Sequence, residues 1–257
     1  MANRPIVFLM YHELELSGRP LVQSEPGYVR YIVSHDRFRS QMEWLRQKGW
    51  VGLNVSESLD YPEQTAVAIT FDDGCETDLI AAAPILVEAG FHATFYVTAG
   101  FLGQRGYLSH AQLKELSSLQ EIGCHSMTHP YLNDLSDEQQ RVEIQGARAK
   151  LEDIIGRSVE HFSCPGGRYD ERTLAIAREA GYRSVATSQT IRNEPSTDRF
   201  QLGRVAIMRN TGDSLFADIC SGKGLWKIRA AESARNIARK TIGNVLYDRV
   251  RRRLLHK

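Results

Sequence analysis

Short apolar runs rich in β-branched and aromatic residues alternate with amphipathic stretches along most of this chain. That alternation restricts the fold more than any other feature. "IVFLM" (6–10), "AVAITF" (66–71), "ATFYVTA" (93–99), "EIGCH" (121–125) and "VEHFSC" (159–164) read as strands, with two more near 183–187 and 203–208. Between them "RFRSQMEWLRQKG" (37–49), "ETDLIAAAPILVEAG" (76–90), "SHAQLKELSSLQ" (109–120), "SDEQQRVEIQGARAKLEDIIG" (136–156) and residues 170–180 carry helical patterns, with Ser109 and Ser136 as N-caps. Strands and helices in this order make βαβ units and a parallel sheet. Six or seven units in one domain predict a closed or nearly closed α/β barrel, whose functional residues belong at the C-terminal ends of strands. Asp72, His125 and "CPGG" (164–167) all fall there.

At 257 residues and 42% hydrophobic, the chain can bury a large core, and no composition break marks a linker. The reading is one barrel domain over 1–222 and a basic extension over 223–257. Net charge is +1 overall, yet residues 223–257 hold 11 Lys and Arg against Glu232 and Asp248, a net of +9 that leaves −8 for the rest. From Ala231 the positions Ala234, Ala238, Ile242, Leu246, Val250 and Leu254 follow at helical steps, predicting a basic amphipathic helix. Such a helix either docks on the barrel or is drawn to an anionic membrane surface. One arginine cluster without interleaved aromatics argues against a nucleic-acid partner. No stretch reaches the length of a membrane span, and Ile6–Met10 is too short for the core of a signal peptide. The expected location is the cytoplasm, at the inner membrane face if the tail binds there. Cys75, Cys124, Cys164 and Cys220 show no paired spacing and read as free thiols.

Asp72 and Asp73 stand side by side where an apolar strand ends, before Gly74. An N-cap with a first-turn acid would use such a pair. So would a divalent cation, which binds one carboxylate and lets the other ionise nearby as a proton acceptor. "HSMTH" offers His125 and His129 as nitrogen ligands four residues apart, and Pro130 favours a loop over a helix there. One carboxylate and two imidazoles leave coordination positions open, as catalytic metal sites do. Strand alternation points Cys124 away from His125.

"TFDDG" (70–74), "HSMTH" (125–129) and "FSCPGG" (162–167), in this order, resemble the polysaccharide deacetylase family, the NodB-homology carbohydrate esterases. The resemblance spans most of residues 5–210 and implies a distorted (β/α)7 barrel. It implies Asp72 as catalytic base and Asp73, His125 and His129 as ligands of a divalent metal, zinc first, with cobalt or nickel as alternatives. It also implies the Gly166 N–H as a donor to the reaction's oxyanion, beside Pro165. The family's third motif begins with an arginine that positions the base, where this chain has Ser163, with Arg168 nearby in another register. The family's late histidine, a general acid, has no counterpart in "QLGRVAI" (201–207). "FLMYHEL" (8–14) supplies His12 instead, as in a circularly permuted branch that acts on poly-N-acetylglucosamine, which residues 31–50 also resemble.

The function so implied is a metal-dependent hydrolase that removes an N-acetyl group from an amino sugar in a glycan or a lipid-linked sugar. Tyr11 and Tyr169 offer sugar contacts or core packing equally. The competing reading, prompted by Ser163, is a glycan- or membrane-binding protein that keeps the barrel without turnover.

Overall fold

The computed structural model describes residues 4–60 and 63–230. The predicted helical tail therefore lies outside the described residues, apart from its first eight positions. Among the described residues ten strands occur in the order β1 (Val7–Tyr11), β2 (Leu14–Glu15), β3 (Val33–Ser34), β4 (Val51–Leu53), β5 (Ala66–Asp73), β6 (Thr94–Val97), β7 (Glu121–Cys124), β8 (His161–Ser163), β9 (Ser184–Ala186) and β10 (Val205–Ala206). Seven of them form a parallel ribbon in the order β10, β1, β5, β6, β7, β8, β9. A parallel bridge from Ala186 to Leu202, just before β10, joins the two ends. The result is the distorted (β/α)7 barrel that the family resemblance implies, consistent with the nearly closed α/β barrel predicted from the strand–helix alternation. Part of the distortion sits at β5, where β4 pairs with residues 66–68 and β6 takes over at 70–73 on the same edge.

Alternation along the strands sorts side chains into two cores. Val7, Leu9, Tyr11, Val67, Ile69, Phe71, Phe95 and Phe162 face the surrounding helices. Ile6, Phe8, Ala68, Tyr96, Ala186 and Leu202 fill the barrel interior. Tyr96 occupies the space a side chain at Gly123 would need: a Cβ there would lie 2.4 Å from the ring. This plug closes the barrel beneath the strand ends, so the chemistry above it has a solid floor.

The helices begin as their caps dictate. Ser34, Ser109, Ser136 and Asp170 each accept the N3 amide, opening His35–Gln47, His110–Leu119, Asp137–Arg141 and Glu171–Glu179. Two helices contain π-helical turns, Asp78–Ala82 and Val142–Gly146, which an apolar stripe does not distinguish from α-helix. An additional helix, Asp213–Cys220, packs Phe216, Ile219 and Cys220 on the outer core.

Candidate active site

Adjacent residues of a strand point to opposite faces, so Asp72 and Asp73 cannot both serve one site in a regular β5. Asp72 follows Ala68 and Thr70 into the barrel. Asp73 has a left-handed backbone (φ 84), which turns its carboxylate to the same mouth. Its Oδ1 lies 3.7 Å from His125 Nε2 and 3.6 Å from His129 Nε2, and Asp72 Oδ2 lies 3.8 Å from His125 Nε2. Ser126 (φ 67) and His129 (φ 61) are the only other left-handed non-glycine residues among those described. Each such conformation typically costs about 1–3 kcal/mol and persists where the surroundings enforce it. That all three cluster at this mouth marks it as the functional centre.

The donor set suits a divalent cation. One carboxylate oxygen of Asp73 and one nitrogen each from His125 and His129 lie within 4.8 Å of one another. His125 donates Nδ1–H to the Ser163 carbonyl at 2.9 Å, which leaves Nε2 with its lone pair toward the triad. Burial lowers the His125 pKa to about 4, against the pull of Asp72, so the ring is neutral and able to ligate at neutral pH. His125→Ala is expected to lose most of the bound metal by elemental analysis. Full occupancy would remove His125 from the ligand set.

Asp72 is held by a group the sequence reading missed. Arg204, fully buried, grips it in a bidentate pair, Nη1 to Oδ1 at 2.6 Å and Nη2 to Oδ2 at 2.8 Å. Arg204 also donates to Ser163 Oγ at 2.7 Å, to Thr70 Oγ1 at 3.2 Å and to the Thr187 carbonyl at 3.0 Å. Burial alone would raise the Asp72 pKa, but the Arg204 guanidinium outweighs it and holds the carboxyl well below the usual carboxylate range. Arg168, the candidate for this task, instead stacks its guanidinium over Tyr131 at 3.6 Å. A signal for Arg204 was present: in a strand where Val205 and Ile207 face outward, position 204 faces inward, and an inward arginine needs an anion.

His12 follows β1, whose register pairs Tyr11 with Phe71, so it comes level with Asp72. The two are near enough for a charge on His12 to lower the Asp72 pKa. Its ring rests on Tyr31 with centroids 4.9 Å apart, and its buried Nδ1 has no hydrogen-bond partner among the described residues. Tyr11, by the same alternation, is excluded from the mouth. It is 0% exposed, packs on Phe38 and Phe71 and donates to Gln41, a correction to its candidacy for sugar contact. Tyr169 is half-buried and accepts from Gln189 Nε2 at 2.6 Å. Pro165 is buried in the turn Pro165–Gly167. The amides of Gly167 and Arg168 are used within that turn, and the exposed Gly166 N–H donates to no protein acceptor among the described residues. His161 lies at the other end of β8, between the Ser56 and Ser184 hydroxyls.

Comparison with known proteins agrees with this geometry. The family model for polysaccharide deacetylase matches residues 60–185. A putative polysaccharide deacetylase of Bacillus subtilis, YxkH, is 28% identical over 222 residues, covering 84% of this chain and 75% of that protein. The poly-β-1,6-N-acetyl-D-glucosamine N-deacetylase of Staphylococcus aureus is 24% identical over 197 residues, covering 69% and 68%. In fold, the chain is similar to the deacetylase PplD of Streptococcus pyogenes, solved with acetate, at a TM-score of 0.76 and 24% identity over 85% of this chain and 99% of that one. Residues 60–185, which carry Asp72, Asp73, His125 and His129, belong to the polysaccharide deacetylase family.

Proposed function

We propose that this protein removes the N-acetyl group from an amino sugar within a glycan or glycolipid, using a divalent metal. The observation that carries the reading is the pairing of a three-ligand set with a second carboxylate, Asp72, kept ionised beside it by Arg204. Relatives named as a peptidoglycan-N-acetylglucosamine deacetylase and a poly-β-1,6-N-acetyl-D-glucosamine N-deacetylase support the substrate class. Asp73, His125 and His129 would hold the metal; zinc suits one carboxylate and two imidazoles, with cobalt or nickel as alternatives. The bound metal supplies Lewis-acid polarisation of the acetyl carbonyl and of the attacking water.

The remaining steps belong to the chain. Asp72 accepts the proton of the water as its oxygen attacks the amide carbon. The Gly166 N–H stabilises the developing oxyanion, a donor worth about 3 kcal/mol of barrier in comparable sites. Tyr169, beside that turn, offers a hydroxyl or stacking face to the sugar. An amide nitrogen leaves poorly as an anion, so His12 donates a proton to it as the C–N bond breaks. The products are acetate and a free amino sugar. The test is acetate release from a panel of N-acetylated glycans and glycolipids by protein stripped of metal and reloaded with single divalent ions. Release that requires the metal supports the reading; no release from any member with any ion contradicts it.

The basic segment 223–257 is the proposed contact with an anionic membrane surface, which would bring a lipid-linked sugar within reach at the cytoplasmic leaflet. Its net charge of +9 supports this, as does Trp226, 70% exposed at the start of the segment with Lys227 Nζ 5.6 Å from its ring. The full chain is expected to co-sediment with anionic vesicles, and a folded 1–222 truncation is not. Equal binding by both rules the contact out.

A further inference from the structure

His129 is the most accessible member of the triad, its side chain 33% accessible, and its ring meets His125 and Phe101 at centroid distances of 5.0 and 6.3 Å. Its backbone is held more firmly. Residues 126–129 form a short loop with left-handed conformations at Ser126 and His129, and the His129 N–H donates to Ser126 Oγ at 2.9 Å. One side of this loop is clamped by the end of β6. Ala99 N–H donates to the Ser126 carbonyl at 3.0 Å and Gly100 N–H to the Met127 carbonyl at 2.7 Å. A Cβ at Gly100 would lie 2.4 Å from that carbonyl oxygen, so only glycine permits the approach.

The other side is clamped by Glu143. Its Oε2 accepts the amides of Met127 at 2.9 Å and Thr128 at 2.8 Å, and its Oε1 accepts the Thr128 hydroxyl at 2.6 Å. Successive amides beside a left-handed residue form an anion-binding nest, and here the chain supplies its own anion. Glu143 is buried, and it lies within the π-helical turn Val142–Gly146. Such turns inside helices occur frequently at functional sites.

We infer that Glu143 is a positioning residue for the metal centre: its carboxylate holds the 126–129 loop in the strained conformation that presents His129 Nε2 to the site. The inference rests on the reading of Asp73, His125 and His129 as metal ligands. Outer partners of metal ligands typically govern affinity by about 10–100-fold.

The experiment measures zinc affinity by chelator competition, and the visible spectrum of the cobalt-loaded protein, for the wild type and variants of the full chain. Glu143→Ala is expected to weaken zinc by about 10–100-fold and to alter the cobalt spectrum as one ligand is released. Glu143→Gln keeps an acceptor for both amides and a donor for the Thr128 hydroxyl oxygen, so it should restore near wild-type affinity and spectrum. In a His129→Ala background, Glu143→Ala should remove no further affinity. Should Glu143→Ala not fold, Thr128→Val, at an exposed position, deletes one of the three bonds and is expected to cost about fivefold. Unchanged affinity in both Glu143→Ala and Thr128→Val, or an equal loss from Glu143→Ala with and without His129, overturns the role of Glu143. A wild-type protein that binds no divalent ion overturns the reading of the triad itself.

Discussion

Arg204→Met is expected to destabilise the protein by about 3–5 kcal/mol, because it leaves the Asp72 carboxylate buried without its partner. Denaturant titration reads this as a fall in midpoint at constant slope. The same change acts on activity through the proton on Asp72. Burial raises the pKa of that carboxyl and Arg204 brings it far down, so removing Arg204 lets burial dominate. In the wild type, the pair's contribution to stability is present above the unfolded pKa and is lost as pH falls toward the depressed folded value. In the variant, the acid limb of the pH–activity profile moves to higher pH. An unmoved acid limb would mean that Arg204 does not govern the base. Ser163 Oγ touches the same guanidinium, so exchanging the pair as Ser163→Arg with Arg204→Ser should recover more activity than either single change.

His12→Ala should retain the fold and the metal and yet lose at least about a hundredfold in turnover, the usual share of general acid catalysis. Its location at the end of β1, level with Asp72, makes it the histidine outside the ligand set that the described site contains. His161 is spent on Ser56 and Ser184 at the far end of the barrel, and His35 and His92 pair with Asp36 and Glu57 at the surface. Near-normal turnover in the variant would place the acid elsewhere, and loss of metal would make His12 a ligand.

The parts of the site legible in the sequence were those written locally. Asp72 and Asp73 adjoin, and His125 and His129 are four residues apart, so each pair announces itself within one turn of chain. Arg204 was hidden because it is 132 residues from Asp72, and only barrel closure brings β10 beside β1 and Ser163 within reach. Ser163 accordingly looked like a lost arginine when it is a contact of a relocated one. Tyr11 was readable in hindsight from parity, since Val7, Leu9 and Tyr11 share the outer face and His12 turns inward with Phe8. Short strands such as β2, β3 and β4 hold two or three residues each, too few for a period to show. The helix Asp213–Cys220 begins at Gly212 without a side-chain cap, which removes the usual starting signal.

The most direct measurement compares metal-loaded wild type with Asp72→Asn on an N-acetylglucosamine oligomer, following acetate and new free amines together. Wild type should release the two in equal amounts and only when metal is present. Asp72→Asn, with its metal content unchanged, should fall by at least about a hundredfold. Equal turnover by the two proteins, or acetate release without metal, would contradict the account.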